Sequence, residues 1–421
     1  AQDGEQNIFG QVAFGFDEAD YVTMRAPKPT LIFAGTRDVT FDFRGTWEVF
    51  LDAKRFYSRL GRSKSVEISA PDAPHGYSVQ MREATARWMH RWLPGSDKTI
   101  REVEARPDPM TDQQERLLSA GDWTQEQRYC TPQGQVLLIP GERSVFQINA
   151  EIAARLKEKR ADTWSKLPLP AKRQLIRETI IVTGVETAPS PKVETLGRIE
   201  RDGFVIHQLV LTVERGLQLP ALAFVPARAN VAATLYLHGT SMSADAAPGG
   251  AIEALMKQGQ VVLAADLRGI GETAPGPDRP DWSSVRFGRG LREFFLAYLI
   301  GKSVVGLQTE DVLSWARFLR DFQTSGSRRS VHLVAQGGAA IPALHGAALD
   351  PDAFDTVTLR NMVRSWEDMV STPEPVQAAD VVHGALRNYT LADLIELAGR
   401  EKTALAEPLD GSGRVAAIGP R

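Results

Sequence analysis

Cysteine is nearly missing: Cys130 is the one thiol in 421 residues. That excludes an intrachain disulfide and a cysteine-rich metal site. It leaves the compartment open, because many secreted chains of this size carry no disulfide. No apolar run approaches the roughly 20 residues that a membrane-spanning helix needs, so no membrane partner is expected. Excess positive charge is lacking too. A net charge of −3 does not supply the concentrated Lys and Arg that a phosphate backbone requires, which argues against nucleic acid as a partner. The locally basic stretch Arg155 to Arg177 is mixed with Glu and Asp and reads as a solvated helix face. No His/carboxylate spacing points to a metal, and no phosphate-cradling glycine loop stands in a convincing context, so no cofactor is expected. The first residues, Ala1-Gln2-Asp3-Gly4, show neither an initiator Met nor a charged-then-apolar leader. They are expected to open a mature or cut product.

What is present is ordinary for a soluble globular protein: 43% hydrophobic and 24% charged residues, over a length that favours two domains. Pro29 to Gly35 is a short apolar run between breakers and predicts a buried strand ending in Thr36-Arg37-Asp38. A helix is expected from Gly45 to Leu60, a strand over Ser65 to Ala70, and a loop Pro71-Asp72-Ala73-Pro74-His75-Gly76. A further helix is expected from about Ser78 to Leu93. Strand, helix, strand, helix is the rhythm of a parallel α/β sheet.

Residues 98–199 read as a helical connecting region, with Asn149 as N-cap of a helix to about Arg160 and a second helix near Pro170 to Glu178. From about 200 the α/β rhythm resumes. Phe204 to Val213 and Leu219 to Pro226 suit an antiparallel pair. Strands then follow at Ala233–Leu237, Val261–Ala265, Val331–Ala335, Thr356–Arg360 and Thr403–Glu407. Helical patterns over Gly249–Gly259, Phe294–Phe322 and Ala339–Leu349 lie between them. The fold class expected is α/β, with a doubly wound, mostly parallel sheet over 200–421.

His238-Gly239-Thr240 follows one strand and Asp266-Leu267-Arg268-Gly269-Ile270-Gly271 the next. Gly301 to Gly306, and a helix through Glu310, Asp311 and Leu319, precede a strand ending in a tight turn. These motifs resemble the oxyanion loop and the Asp-x-Arg-Gly-x-Gly turn of α/β-hydrolases. Their order is similar to the acetyl-xylan-esterase-like and prolyl-oligopeptidase-like branches. The resemblance covers roughly 1–97 as the C-terminal third of one hydrolase unit and 200–421 as most of a second. It implies a tandem organisation, a carboxylic-ester substrate on a small molecule or polysaccharide, and a secreted or periplasmic location. Gln6 to Gln11 is similar to the interior of such proteins.

The chemistry of that family needs three groups. A serine in Gly-x-Ser-x-Gly must stand on a strained strand-to-helix turn. Here the turn reads Ala335-Gln336-Gly337-Gly338-Ala339, and Gly337 at its centre carries no hydroxyl, thiol or carboxylate, so this elbow is expected to be inert. The acid and base are expected earlier. Asp38 at a strand end and His75 in the loop after the next strand stand in the order acid then base. His75 would take the nucleophile's proton while Asp38 fixes its tautomer. Asp42 is the fallback acid. Gly239 and Thr240 are the candidate oxyanion loop; Ser241 and Ser243 beside them read as loop residues. Asp410 ends a second strand-then-Asp unit with no His after it, and reads as a relic or a turn residue. His345 and His383 read as packing or surface residues; no residue reads as a sugar platform, although Trp282 and Trp366 could contribute to one.

Three arrangements follow. An N-terminal hydrolase fragment or another subunit carries the serine and Asp38 and His75 complete it; or residues 1–97 dock on 200–421 as a circular permutation; or the chain is a hydrolase-shaped binding or scaffold module without chemistry.

Overall fold

The computed structural model describes residues 6–96, 101, 126, 129–182, 191–214, 216–275, 290–324, 328–373 and 378–416. The chain divides into two compact units, Ala1–Glu142 and Arg143–Arg421.

In the first unit a short helix α1 (Glu18–Thr23) precedes strand β1 (Thr30–Phe33), helix α2 (Phe43–Arg59), strand β2 (Val66–Ser69) and helix α3 (Val79–Trp92). The two strands pair in parallel, Leu31 against Glu67 and Phe33 against Ser69. Asp42 accepts the Arg44 N–H at 2.9 Å and so caps α2. Ser78 caps α3 through the Met81 N–H. Each helix therefore starts where the loop leaving a strand closes. Ala53, Tyr57 and Val66 form a small core, with Ile32 and Phe50 packed against it. Tyr57 is fully buried, and its hydroxyl donates to the Lys28 carbonyl at 2.8 Å, tying α2 to the segment that enters β1.

The second unit opens with α4 (Val145–Lys166) and α5 (Leu169–Ile180). Asn149 lies inside α4 and does not cap it. Ser144 does, in a capping box with Gln147 whose two bonds measure 3.2 and 2.7 Å. Both helices belong to the folded body that carries the sheet: Ile176 and Ile180 sit in its main core. Arg160, expected on a solvated face, is 5% exposed; it donates to the Leu386 carbonyl and pairs with Glu367 at 2.8 Å. A buried guanidinium is tolerable only with such partners.

The sheet runs β3 (Lys192–Arg201), β4 (Phe204–Glu214), β5 (Leu217–Pro226), β6 (Ala232–His238), β7 (Val261–Ala265), β8 (Ser330–Gln336), β9 (Thr356–Arg360) and β10 (Thr403–Ala406). Its spatial order is β10-β9-β8-β6-β7-β5-β4-β3. β3, β4 and β5 form an antiparallel meander, β5 is antiparallel to β7, and β6 to β10 are parallel. The expected α/β class and doubly wound, mostly parallel sheet are what this unit shows.

Successive residues of β6 face opposite layers. Ala233, Leu235 and Leu237 enter one core with Trp315, Ile341 and Leu344. Tyr236 enters the other, with Phe224, Ile252 and Val262. Each large apolar side chain so buried stabilises the fold by roughly 1.5–3 kcal/mol. The covering helices include α6 (Ala251–Lys257), α7 (Leu291–Leu299), α8 (Val304–Asp321) and α9 (Ala340–Leu349). The single helix expected over Phe294–Phe322 is two. The chain breaks at Gly301, with φ +70°, and Ser303 caps α8. Among the described residues no helix is long and apolar enough to cross a membrane.

Candidate active site

The first unit brings Asp38 and His75 together. Strands β1 and β2 lie side by side in parallel, so the loops leaving their carboxyl ends start as neighbours. The pairing continues past the strands: Ala34 N–H donates to Ser69 O at 3.1 Å, Thr36 N–H to Pro71 O at 3.0 Å, and Arg37 N–H to Ala73 O at 3.2 Å. Outside this backbone zipper, Asp72 Oδ1 accepts from Thr36 Oγ1 at 3.1 Å and from Arg37 Nε at 2.8 Å. Two loops stitched in this way deliver an acid and a base to one point. His75 Nδ1 lies 3.0 Å from Asp38 Oδ2.

Asp38 is anchored on its other oxygen. Oδ1 accepts the Thr40 N–H at 2.8 Å and the Phe41 N–H at 3.0 Å, while the Phe41 ring stands 5.5 Å from the imidazole. These contacts favour the ionised acid. The Phe41 amide above all, then His75 and the Thr40 amide, hold its carboxyl below the usual aspartate range against the opposing effect of burial. An ionised carboxylate can only accept, so Nδ1 carries the proton and Nε2 is left as the acceptor nitrogen. The Asp38 side chain is 9% exposed and that of His75 55% exposed. Asp38 is thus screened behind the imidazole, and the ring presents itself outward. Among the described residues no hydroxyl is bonded to it.

In the second unit the corresponding observations are of backbone. The chain passes from β6 to β7 on one side and then returns to place β8 on the other side of β6. The loops leaving β6 and β8 therefore part at a topological switch point, where open α/β sheets form their crevices. His238 is in register with Gln336, and Gly239 N–H donates to Gln336 O at 2.9 Å. A Cβ on Gly239 would meet Gly338 N at 2.7 Å, so only glycine fits. Gly337 has φ +59°, in the left-handed region, and a Cβ there would meet nothing within 4 Å before α9 begins. The turn and the room for a side chain are present; the side chain is not.

The amides of the expected oxyanion loop, Gly239 and Thr240, both have local partners. Gly239 N–H is spent on Gln336 O, and Thr240 N–H is spent on His238 Nδ1 at 3.1 Å. Neither amide is free for a developing oxyanion, because the polar end of β6 satisfies both locally. Ser241 and Ser243 bond to each other at 2.8 Å. Asp410 Oδ1 accepts from Ser412 N–H, Ser412 Oγ and Arg414 N–H at 2.9, 2.7 and 3.1 Å, which makes it a turn residue. His383 lies against the Tyr298 ring. Trp366 is no platform: it is 4% exposed and packs against His345 and Tyr389. Trp282 lies outside the described residues.

His345, one helical face below the turn, is fully buried. Its Nδ1 faces the Ile341 carbonyl at 2.8 Å and therefore carries the proton, leaving Nε2 to accept from Tyr389 Oη at 3.0 Å. Burial drives its pKa down to about 4.

Sequence reasoning passed over one clamp. Asp266, fully buried, accepts the Met242 N–H at 2.6 Å and the Glu272 N–H at 2.8 Å, so it ties the loop after β6 to the loop after β7. Two residues on, Arg268 Nη2 reaches Asp311 Oδ1 of α8 at 2.6 Å, and its backbone N–H reaches Oδ2 at 3.0 Å. The signal was the Asp-x-Arg turn followed by an acidic pair, Glu310-Asp311, in the apolar first half of a helix.

No protein-family profile matches the sequence, and no curated protein is similar enough to count as a relative. Among solved structures, the chain is similar to a Bacteroides fragilis protein assigned as an acetyl xylan esterase, at 15% identity and TM-score 0.44 over 57% of this chain and 67% of that one. It is also similar to acetyl xylan esterase 1 of a Thermoanaerobacterium species, at 16% and 0.32 over 46% and 63%. A methylesterase follows at 15% and 0.40 over 63% and 56%. The chain thus spans about two thirds or less of each of these proteins, and the likeness is weak and confined to fold.

Proposed function

We propose that this chain is part of a serine carboxylic-ester hydrolase of α/β-hydrolase type, in which Asp38 and His75 are the acid and the base. In this reading the nucleophilic serine comes from an N-terminal hydrolase fragment or another subunit. The observation that carries it is the 3.0 Å contact between His75 Nδ1 and Asp38 Oδ2, with Nε2 turned outward. In such an assembly Nε2 accepts the serine proton as Oγ attacks the ester carbonyl carbon. The imidazolium, stabilised by Asp38, then passes that proton to the departing alkoxide. Water repeats the sequence on the acyl-enzyme, releasing the carboxylic acid and restoring the serine. An acetyl ester is the substrate to try first. It is the class that the family resemblance implies, and a polysaccharide-borne acetyl group belongs to it.

In the native assembly His75→Ala should lower ester turnover by roughly 10³-fold or more. Unchanged turnover would remove His75 from the mechanism. The second reading, a binding or scaffold module of hydrolase shape, is favoured by the bare Gly337 turn and the committed Thr240 amide. A serine-directed fluorophosphonate separates the two: labelling of any polypeptide in the native assembly supports the hydrolase, and none supports the module.

A further inference from the structure

We propose that Gly35 is a positioning residue for the Asp38–His75 pair: its bare Cα lets the acid loop and the base loop touch, and that contact sets the reach of their hydrogen bond. The proposal rests on reading the pair as acid and base.

Gly35 is buried at the point where the two loops come closest. A Cβ built on it would stand 2.9 Å from Pro74 O, 3.1 Å from the Ala73 carbonyl carbon, and nearer still to Ala73 O. These are backbone atoms, which cannot rotate aside as a side chain can. The glycine is not demanded by its own conformation, because it lies outside the left-handed region. Proximity alone demands it. Three residues later comes the acid, and one residue beyond the contacted Pro74 carbonyl comes the base.

The side-chain clasp cannot set the spacing instead. Arg37 and Asp72 are 64% and 78% exposed, and an ion pair so open to water contributes little. The close backbone contact, with its flanking bonds from Thr36 and Arg37, is what remains to fix it. A methyl group at 35 would push the base loop outward, and a 3.0 Å hydrogen bond has no slack to follow.

The test uses the full chain with ¹⁵N-labelled histidine. In the wild type, His75 Nδ1–H should be a hydrogen-bonded ring proton protected from exchange with water. Gly35→Ala should lose that protection by roughly tenfold or more, about one hydrogen bond's worth. Gly45→Ala, in α2 with nothing within 4 Å of the new methyl, should retain it. Retained protection in Gly35→Ala overturns the proposal. If that variant does not fold, Pro74→Gly is added to let the base loop yield. A folded double variant without protection supports the proposal, and one with full protection overturns it.

In a native assembly Gly35→Ala should cut kcat by on the order of 10²-fold with KM unchanged, the penalty of misplacing a catalytic group by about an ångström. The two levels of the reading separate cleanly. Ring protection lost in Gly35→Ala while His75→Ala leaves turnover intact keeps the positioning role and sinks the hydrolase.

Discussion

The two units differ in what holds their loops in place. The first has a side-chain contact on a small frame: Asp38 and His75 in the loops leaving two short strands, over a core of three buried residues. The second has a larger frame: eight strands, a topological switch point and a left-handed turn whose centre is glycine. In the second unit the turn is set by backbone contacts, Gly239 against Gly338 and Gly239 N–H on Gln336 O, and these do not depend on a reactive residue. In the first, the geometry of interest is itself a side-chain contact, and it persists only while both loops stay close.

That contrast can be broken most sharply at the acid. Asp38→Asn keeps the shape of the side chain but removes the acceptor that fixes the imidazole tautomer. In a native assembly kcat should fall by roughly 10⁴-fold. Gly337→Ala in the second unit should leave kcat unchanged. A comparable loss from Gly337→Ala would show that the bare turn takes part in catalysis, and the contrast between the units would fail.

Stability supplies the next test. Asp311 is fully buried with its carboxylate on Arg268, so Asp311→Ala takes away the guanidinium's buried partner and leaves it only Glu214 at 3.2 Å and Glu310 at 3.9 Å. Calorimetry should show the unfolding transition of the second unit weakened by about 3–5 kcal/mol. The transition of the first unit should not move. A shift in both would mean that the two compact units do not unfold independently.

The smallest effect is in pH. His345 has a folded pKa of about 4 against an ordinary 6.5, because burial disfavours its charged form. Between those values the unfolded chain binds the proton and the folded one does not, so stability falls as pH drops through that window. The loss should approach about 3 kcal/mol at the acid end. It should appear in the second unit and be flattened by His345→Asn. Asp38 adds a weaker acid sensitivity of the same sign to the first unit. Its folded pKa is depressed, so its contribution is present above the ordinary aspartate value and lost as pH falls through the folded one.

Much of the frame was legible in the sequence where local chemistry decides. β7 and β9 have the bounds their apolar runs imply, because buried parallel strands are bracketed by breakers. β3 was not legible. Lys192–Arg201 alternates charge with scattered apolar residues, since it is an edge strand with most of its length exposed. The break at Gly301 was hidden because apolar periodicity runs across it from Phe294 to Phe322. Ser144 was masked as a cap by the stronger-looking Asn149. At the site, the order strand, acid, helix, strand, base foretold that Asp38 and His75 would be neighbours. It could not foretell that His238 would occupy the Thr240 amide, or that Trp366 would be buried. Both depend on contacts made only after the sheet is assembled.

The meeting of Gly239 with Gly338 has a consequence for how this molecule tolerates mutation. The turn there is drawn by main chain, held at a separation that no side chain helps to define. Whatever stands at position 337 can therefore be exchanged, within what a left-handed residue allows, and the backbone around it will keep its outline. A turn framed in this manner can change its central residue without losing its course.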